Sequence, residues 1–465
     1  MEGTGAPLTL VYVEPENVYN VNFIRDTRDG FCLGDTLTDG MTFFSAQKGS
    51  VRYDAPMNTD DGSRRFHAKR KYIRITLSGE DGFSAALEQC LGGAEIPVGC
   101  PGGFAAAAEA NKRAFLAFAA PFPSGRTYGA AAYILWSNAS VAEGNFRRQP
   151  LVCSKAGMTR VWSWDNVFNA LALAPYYPQK AFDQFMIPYD AMTPAGRLPD
   201  AISACTAEWT NVKPPVQGWA YGLMEKKHPF FSDRRILGQA YFCIKRNTDW
   251  WLNLNDGVPV YFHGNDSGAD NATCFDRADC IASPDLSALL SLQCAFLART
   301  AKTLGLSGDC GRYAAEADRL AEYTGTFYDG RVFVRDGVTG EKYYSGALMP
   351  LRALLLGDRL PSAMRTYIVK RLEEAYLGEY GLASEALDSP EYTEDGYWRG
   401  SLWSPDQYMF YEACVAVGAR ELTGRILSRY KSAVDKSGFF ENYDAHTGRG
   451  ERCKHFCWPV ASYLL

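Results

Sequence analysis

Two carboxylates in separate loops are the residues of this chain best suited to chemistry. Asp270 lies in the segment Asp266–Asn271, and Glu441 begins the segment Glu441–Gly448; glycines punctuate both. Two carboxyl groups on opposite sides of a sugar are the minimum equipment for hydrolysis of a glycosidic bond. Because Asp and Glu together number 53, this pair gains its meaning only from the sequence around it.

Composition sets the broad class of the protein. The 465 residues are 47% hydrophobic and 22% charged, which is typical of a globular chain with a sizeable core and room for two or three domains. The formal net charge of -5 argues against a nucleic-acid partner, which requires a basic surface. Aromatic residues make up 14%, and flat rings suit stacking on sugars as well as packing between helices.

Cysteine and histidine usage excludes further classes. The 13 cysteines form no CxxC pair, and this odd, scattered set favours a reducing cytoplasm over a disulfide framework. The five histidines lack zinc-binding spacing and no acidic loop has EF-hand spacing, so we predict neither a metal nor a cofactor. We see no signal peptide and no membrane-spanning stretch, so we predict a cytoplasmic protein without a membrane partner. The sequence does not indicate an oligomeric state.

The chain has two regions that differ in predicted secondary structure. Residues 1–141 are β-rich, with strand-like runs between turns at Thr9–Val13, Tyr72–Leu77, Phe115–Phe118 and Ala131–Trp136. Helical periodicity dominates residues 142–465 and predicts helices at Arg234–Leu252, Leu286–Leu304, Arg312–Tyr323, Leu348–Leu356, Ala363–Ala375, Trp403–Val417 and Glu421–Val434. No fixed-period repeat is visible, which disfavours a solenoid. We therefore predict a mainly α protein, in which a smaller β-rich N-terminal domain precedes a closed helical barrel.

Four clusters of aromatic and charged residues stand in order along the helical region. They are Val161–Phe168, Asp266–Asp276, Tyr397–Trp403 and Glu441–Gly448, the last followed by Phe456–Trp458. Their order resembles that of the inverting α-glycosidases of the trehalase and family 63 glycoside hydrolase group, which includes mannosylglycerate and glucosylglycerate hydrolases. The Trp-Asp pair, the Ser-Gly-Ala-Asp loop and the Trp-Arg-Gly triplet resemble that group's motifs, as do Leu198–Asp200 and Lys213–Pro215. The resemblance spans Arg160 to Leu465.

The resemblance implies an (α/α)6 barrel with the active site at one mouth. It implies that Asp270 is the general acid, because the Ser-Gly-x-Asp loop carries that residue in the group. Glu441 would then be the general base that activates a water on the opposite face of the sugar. Room for that water requires about 6.5–9.5 Å between the two carboxyl groups.

A further set of residues is predicted to bind a small carbohydrate substrate. Asp165 and Arg399 have the chemistry to bind sugar hydroxyls, since a carboxylate accepts and a guanidinium donates in a fixed fork. Tryptophans are predicted to wall the pocket, although Trp164 and Trp403 are also candidates for the core. Arg399 is alternatively a structural partner of a buried aspartate. The full predicted set is Trp162, Trp164, Asp165, Asp200, Lys213, Gln217, Trp398, Arg399, Gly400 and Trp403.

Two departures from the group's motifs concern specificity. Asp200 stands where the group often has Asn, and Lys213 stands where trehalases have Gln, so trehalose itself is disfavoured. The sequence predicts an inverting hydrolase of a small α-glucoside or related α-hexoside. The alternatives are a hydrolase of an anionic glycoside, with Lys213 and Arg197 contacting its carboxylate, and a catalytically inactive sugar-binding barrel. A helical-barrel epimerase is disfavoured because histidine is scarce.

Overall fold

The computed structural model describes residues 1–4, 6–13, 22–35, 40–54, 57–58, 67–68, 72–91 and 103–465. The chain divides into two compact units. The first is Met1–Ala120 with Ala204–Thr206, and the second is Pro121–Ser203 with Ala207–Leu465. The second unit thus begins before the predicted domain change at residues 141–142.

The first unit is built from antiparallel strands. Its strands are Glu2–Gly3 (β1), Leu8–Val13 (β2), Asn22–Thr27 (β3), Gly30–Asp35 (β4), Gly40–Lys48 (β5), Ser50–Asp54 (β6), Met57–Asn58 (β7), His67–Ala68 (β8), Tyr72–Ser78 (β9) and Phe83–Leu91 (β10). They form a five-stranded sheet in the order β1-β10-β5-β4-β3, a three-stranded sheet β2-β9-β6 and the pair β7-β8. Phe31, Leu33 and Phe44 of the larger sheet pack on Ile73 and Ile75 of β9, which gives the unit a core between two sheets.

Two segments predicted as strands are helices, so that prediction was wrong. Phe115–Phe118 lies in helix α1 (Gly103–Ala119), and Ala131–Trp136 lies in helix α2 (Arg126–Ser137). Both segments sit in alanine-rich stretches, and alanine has the highest helix propensity, which outweighs the local strand preference of the aromatic residues. In α2 the buried residues Ala131, Ala132, Ile134 and Leu135 recur at helical spacing.

The second unit is mainly helical. After α2 its helices are Asp165–Leu173 (α3), Pro178–Asp190 (α4), Gln217–Lys227 (α5), Arg234–Leu252 (α6), Pro284–Leu304 (α7), Ser307–Gly325 (α8), Ser362–Arg371 (α9), Ser404–Ala416 (α10), Arg420–Ser437 (α11) and Trp458–Tyr463 (α12). The predicted helix Arg234–Leu252 is confirmed at both ends. The Asp233 side chain caps its first turn by accepting hydrogen bonds from two backbone N–H groups. The predicted helix Leu348–Leu356 is a 3-10 segment, Met349–Arg359.

Short strands hold the loops between these helices. They are Val161–Trp162 (β11), Ala201–Ile202 (β12), Ile281–Ala282 (β13), Val334–Asp336 (β14), Lys342–Tyr343 (β15), Leu402–Trp403 (β16), Phe440–Tyr443 (β17) and Gly450–Lys454 (β18). They pair as β11-β12, β13-β14-β15 and β16-β17-β18. The last of these sheets joins two of the aromatic clusters singled out in the sequence. Among the described residues no helix is both long and apolar enough to cross a membrane.

Candidate active site

The loop that carries Asp270 is fixed by its own buried polar groups. Asp266 is buried, and its carboxylate accepts from the backbone N–H groups of Val212, Phe262 and His263 at 3.0–3.1 Å. The Ser267 hydroxyl donates to the Gly264 carbonyl at 2.7 Å. These bonds satisfy a buried carboxylate and close a single 3-10 turn. The loop therefore presents Asp270 from a rigid base.

Gly268 allows this loop to approach Trp164 closely. Its φ is +70°, and a Cβ added there would lie 2.6 Å from the Trp164 ring. An L side chain in the left-handed region costs roughly 1–2 kcal/mol, and the overlap with the ring adds to that cost. Glycine is therefore required here for two independent reasons.

We expect Gly268→Ala to lower both stability and turnover, because the alanine methyl group forces the Asp270 loop away from Trp164. The matched control is Gly305→Ala, since Gly305 also has a left-handed φ, +81°, but has nothing within 4 Å of an added Cβ. The control should lose about 1–2 kcal/mol of unfolding free energy and keep its activity. Urea unfolding and kcat measure the two effects. Equal losses of activity in both variants would contradict the packing argument.

A β-bulge between β17 and β18 orients the Glu441 side chain. In the β17–β18 pairing, Phe440 faces Lys454 and Asn442 faces Glu451, so Glu441 lies opposite the two residues Arg452 and Cys453. Arg452 has a left-handed φ of +58°, as the extra residue of a bulge can require. Bulges re-aim side chains near functional sites, and this one sets the direction of Glu441.

Glu441 is buried and held on both sides. Its Oε2 accepts from the Cys453 backbone N–H at 3.3 Å, and its carbonyl accepts from the indole N–H of Trp458 at 2.8 Å. Burial raises the pKa of Glu441, against the opposing effects of the Cys453 N–H and the Arg452 charge. The negative charge of Asp270 adds to the rise.

Asp270 and Glu441 line one cavity. Asp165 and Lys213 line it too, and the remaining walls are Met158, Trp162, Trp164, Gly268, Tyr397, Trp398, Trp403, Phe456 and Trp458. The cavity is narrow, about 40 Å³. Met158 and Trp162 are wall residues that are only partly buried.

Tryptophans form a continuous wall. Trp398 and Trp403 stack at 4.0 Å between ring centroids with an angle of 6° between planes. Trp164 lies 6.2 Å from Trp398, and Trp458 meets both Trp164 and Trp403 edge-on at 6.0 and 5.6 Å. All four of these tryptophan rings are almost fully buried. The same rings therefore belong to the hydrophobic core and line the cavity. For Trp164 and Trp403, the sequence analysis had treated these two roles as alternatives.

Lys213 is a buried cation among carboxylates. Its ammonium lies 3.3 Å from Asp200 Oδ1 and 3.6 Å from Asp270 Oδ1, and it donates to the Asn265 carbonyl at 2.9 Å. Burial acts to lower the pKa of Lys213, but the carboxylates of Asp270, Asp200 and Asp165 outweigh it and the pKa is raised. Lys213 is therefore charged, and it balances part of the negative charge of the site.

Asp165 is the first residue of helix α3 and lines the cavity. Its carboxylate is buried, and the Cys153 thiol donates to its Oδ1 at 3.5 Å. Burial raises the pKa of Asp165 to about 7, although Lys213 and the thiol oppose the rise. The charge of Glu441 adds to it. The group therefore titrates near neutral pH in the folded protein.

As the pH rises, we expect the unfolding free energy of the wild type to decrease relative to that of the Asp165→Asn variant. Between the ordinary carboxyl pKa near 4 and about 7, the folded protein holds a proton that the unfolded chain has lost. The stability of the wild type should therefore decrease by up to about 1.4 kcal/mol per pH unit across this window and level off above it. Urea unfolding of both proteins measures the difference, with the surface change Asp388→Asn as control. A difference that does not vary with pH would show that Asp165 is ionised throughout.

The predicted residue Arg399 lies outside the cavity lining. Its guanidinium forms a two-pronged ion pair with Asp276, and its Nε donates to the Asn271 carbonyl at 2.9 Å. The Asn271 side chain in turn binds the Trp398 N–H and the Gly396 carbonyl at 2.9 and 3.1 Å. The geometry thus favours a structural role for Arg399 as a link between the Asp270 loop and the Trp398 loop, although its partner Asp276 is exposed rather than buried.

Three other predicted residues, Asp200, Gln217 and Gly400, are not among the residues that line the cavity. Asp200 holds Lys213, as described above. Gln217 begins α5 and donates to the Ser163 carbonyl at 3.4 Å. Gly400 donates its N–H to Ser384 Oγ at 3.0 Å, and a Cβ there would lie 2.0 Å from the Thr393 carbonyl oxygen, so it has a packing role. The structure therefore brings together Asp270, Glu441, Trp162, Trp164, Asp165, Lys213, Trp398 and Trp403.

The predicted set lacks several residues of the site, and Tyr397 and Arg352 are two of them. Tyr397 lines the cavity, and its hydroxyl donates to Asp270 Oδ2 at 3.3 Å; its left-handed φ of +65° is not visible in sequence. Arg352 lies beneath the wall, with its guanidinium 5.6 Å from the Trp164 and Trp398 ring centres. A signal for Arg352 was available, because a single charge within an apolar run must find a partner when buried.

A larger cavity, about 660 Å³, lies elsewhere in the second unit and is lined by residues such as Phe333, Tyr344 and Arg371. Two of its carboxylates, Asp276 and Asp388, are paired with Arg399 and Arg371. Arginine partners therefore balance two of its three carboxylates, the third being Glu391.

The matching family is described as the mannosylglycerate hydrolase MGH1-like glycoside hydrolase domain. The match runs over residues 158–459, and the chain belongs to this family. This confirms the predicted resemblance to the family 63 and trehalase-like group. The chain thus carries a glycoside hydrolase domain.

Relatives match over short segments. The mannosylglycerate hydrolase of Thermus thermophilus is 32% identical over 86 residues, which are 18% of this chain and 21% of that protein. The mannosylglycerate hydrolase MGH1 of Selaginella moellendorffii is 28% identical over 133 residues, 28% of this chain and 27% of that protein. The matched segments therefore cover only about a quarter of these curated relatives.

Solved structures are similar in fold over far more of the chain. The family 63 mannosylglycerate hydrolase of Thermus thermophilus in complex with glucose has a TM-score of 0.65 at 19% identity, over 73% of this chain and 99% of that one. Neutral trehalase of Saccharomyces cerevisiae has 0.55 at 16%, over 68% and 72%. A bacterial glucoamylase with acarbose has 0.64 at 13%, over 98% and 76%. At these identities the likeness concerns the fold alone.

Proposed function

We propose that the protein is an inverting glycoside hydrolase that acts on a small α-glucoside or related α-hexoside, and that its helical unit is an (α/α)6 barrel. The observation that carries the proposal is that Asp270 and Glu441, from loops far apart in sequence, line one tryptophan-walled cavity. Membership of a glycoside hydrolase family supports the reaction class. The helical fold shared with trehalase and glucoamylase supports the barrel.

The proposed reaction is a single displacement. Asp270, in its protonated form, donates its proton to the glycosidic oxygen as the bond to the anomeric carbon breaks. Glu441, in its ionised form, takes a proton from a water molecule that attacks the anomeric carbon from the opposite face. The products are an alcohol and a sugar of inverted configuration. Proton exchange with solvent then restores both carboxyl groups.

The residues around this pair have complementary roles in the proposal. Asp165 and Lys213 bind sugar hydroxyls, the first as an acceptor and the second as a donor. Trp162, Trp164 and Trp398 pack against the apolar faces of the ring and exclude water. Tyr397 holds Asp270 through the 3.3 Å hydrogen bond. The proposal needs no cofactor, and it includes a cytoplasmic location, which the scattered cysteines support.

One alternative has a specific observation in its favour. Two similar proteins are named mannosylglycerate hydrolases, so an anionic glycoside is the second candidate substrate. Lys213 lines the cavity, whereas the Arg197 guanidinium donates to the Trp209 carbonyl and is not among the lining residues. A catalytically inactive sugar-binding barrel is the remaining alternative. Turnover of any substrate would exclude it.

The test is hydrolysis of a panel of α-linked glucosides and mannosides, including α-linked disaccharides and glycerol glycosides. Proton NMR should show the β-anomer as the first sugar product, before mutarotation. Appearance of the α-anomer first would rule out single displacement. A lack of turnover across the panel and with α-glycosyl fluorides would favour the sugar-binding alternative.

A further inference from the structure

Arg452 connects the hairpin that carries Glu441 with the loop that carries Tyr397. Its Nη1 donates to Asp395 Oδ1 at 2.7 Å, and Asp395 belongs to the same loop as Tyr397. The guanidinium also lies over the Tyr397 ring, 4.9 Å from the ring centre. A cation above an aromatic face is attracted to it, and this attraction adds to the ion pair. The two contacts together fasten the hairpin to the loop.

Tyr397 carries this contact on to the acid. Its hydroxyl donates to Asp270 Oδ2 at 3.3 Å. The Trp403 ring meets the Tyr397 ring edge-on at 4.8 Å, and the Trp403 indole N–H donates to the Tyr397 carbonyl at 3.0 Å. Arg452 covers the ring as well. A movement of Arg452 therefore releases one support of the ring whose hydroxyl holds Asp270.

Both partners of the ring contact have strained backbones. Among the residues that the structure describes, four other than glycine have a left-handed φ, and Arg452 at +58° and Tyr397 at +65° are two of them. Glycine adopts this conformation without the steric cost of a Cβ. Such strain persists only where surrounding contacts outweigh it, and it concentrates at functional sites. An arginine at this position therefore indicates that its side chain has a role.

We propose that Arg452 is a positioning residue for both catalytic carboxyl groups. It lies opposite Glu441 in the bulge and packs over the ring of Tyr397, whose hydroxyl holds the acid. Arg452 is not among the residues that line the cavity, so it acts through Glu441 and Tyr397. This inference rests on the proposed function and adds a residue to its mechanism.

The charge of Arg452 favours the form of Glu441 that a general base requires. Burial raises the pKa of Glu441 and the charge of Asp270 adds to the rise, whereas the Cys453 N–H and the Arg452 charge oppose it. The titratable and charged groups that share the cavity or the bulge with Glu441 are Asp165, Asp270, Lys213, Tyr397, Arg452 and Cys453. A base must be ionised to take a proton, so loss of the arginine should move the acidic side of the pH profile to higher pH.

The test is the pH profile of Arg452→Met, which keeps a long side chain and the backbone strain but removes the charge. An α-glycosyl fluoride is the substrate, because it needs the base but little acid help. The ratio of kcat at about pH 5 to kcat at about pH 7 should fall by about threefold or more, since protonation of Glu441 begins at a higher pH. For an unactivated α-glycoside, kcat at about pH 7 should fall further than for the fluoride, because the support of Asp270 is also lost.

Arg449→Met is the matched control. Arg449 belongs to the same hairpin region and pairs with Glu451 at 3.4 Å, but its side chain is 66% exposed. The substitution removes the same charge at the surface and should leave the pH ratio unchanged. Arg452→Lys keeps the charge and should restore most of the ratio. An unchanged ratio in Arg452→Met, or an equal change in Arg449→Met, would overturn the proposal.

Arg452→Gly guards against a variant that merely fails to fold. Glycine tolerates the left-handed φ of this position, so the variant should keep or gain stability in urea unfolding. Its pH ratio should nevertheless fall as in Arg452→Met. A stable Arg452→Gly protein with the wild-type ratio and wild-type turnover would show that the arginine side chain has no role in the reaction.

Failure of this inference is distinguishable from failure of the proposed function. Turnover of the fluoride by the wild type, with an unchanged pH ratio in Arg452→Met, would retain the function and overturn the role of the arginine. If the wild type hydrolyses no fluoride, the function fails, and carbon-13 NMR of glutamate-labelled protein still tests the role. The Glu441 carboxyl signal is identified by its loss in Glu441→Gln. Its titration midpoint must then lie at higher pH in Arg452→Met than in the wild type, and coincident midpoints would overturn the inference.

Discussion

Asp270→Asn should reduce hydrolysis of an unactivated α-glycoside by roughly 10²–10⁴-fold, the usual contribution of a general acid. The amide has no acidic proton to give to the leaving oxygen. Glu441→Gln should reduce it at least as much, because the amide cannot take a proton from the attacking water. Steady-state kinetics on the best substrate of the panel measure both losses.

The two variants should then respond differently to a better leaving group. An α-glycosyl fluoride leaves with little acid help but still requires an activated water, so it should restore much more activity to Asp270→Asn than to Glu441→Gln. Glu451→Gln is a neighbouring control, since Glu451 accepts from Ser401 and lies outside the cavity lining. Equal rescue of both catalytic variants would mean that the acid and base roles are assigned wrongly.

Arg352→Ala should cost about 3–5 kcal/mol of unfolding free energy, the usual penalty for breaking a buried ion pair. The side chains of Arg352 and Asp406 are 0% and 1% exposed, and Arg352 Nε donates to Asp406 Oδ1 at 2.6 Å. Removal of the arginine leaves the aspartate without its partner. Arg352 also donates to the Ser267 carbonyl at 3.2 Å, so the Asp270 loop loses a support and turnover should fall too.

Two controls separate these effects. Arg365→Ala breaks an ion pair with Asp358, whose side chain is 89% exposed, and should cost no more than about 1 kcal/mol. Arg352→Met combined with Asp406→Asn should recover part of the lost stability, because neither charge is then left buried alone. The double variant should still turn over slowly, since Ser267 lacks its donor. Full activity in the double variant would contradict a role for Arg352 in holding the loop.

The sequence predicted the parts of the site that follow from local chemistry. Loops rich in glycine and aromatic residues indicated where Asp270 and Glu441 lie, and the structure places both in one cavity. The distance between the two carboxyl groups stays a prediction. Helix Arg234–Leu252 could be predicted at both ends because a capping aspartate and a regular apolar stripe mark them.

Features that depend on contacts between distant segments could not be predicted. Arg399 was expected to bind substrate, but Asp276 and the Asn271 carbonyl, on another loop, occupy its guanidinium. The bulge at Arg452 depends on the register between β17 and β18, which no local preference of an arginine indicates. The error at helix α1 had a local cause instead. The strand preference of a short aromatic run was weaker than the helix propensity of the long alanine-rich stretch around it.

The stacked pair of Trp398 and Trp403 gives the protein a natural optical reporter. Two indole rings 4.0 Å apart and nearly parallel couple their electronic transitions, so they should contribute a strong signal to near-ultraviolet circular dichroism. Trp164 and Trp458 lie next to this pair and line the same cavity. A sugar that enters the cavity therefore changes the surroundings of several fluorophores at once, and occupancy of the site can be followed by intrinsic fluorescence without any added label.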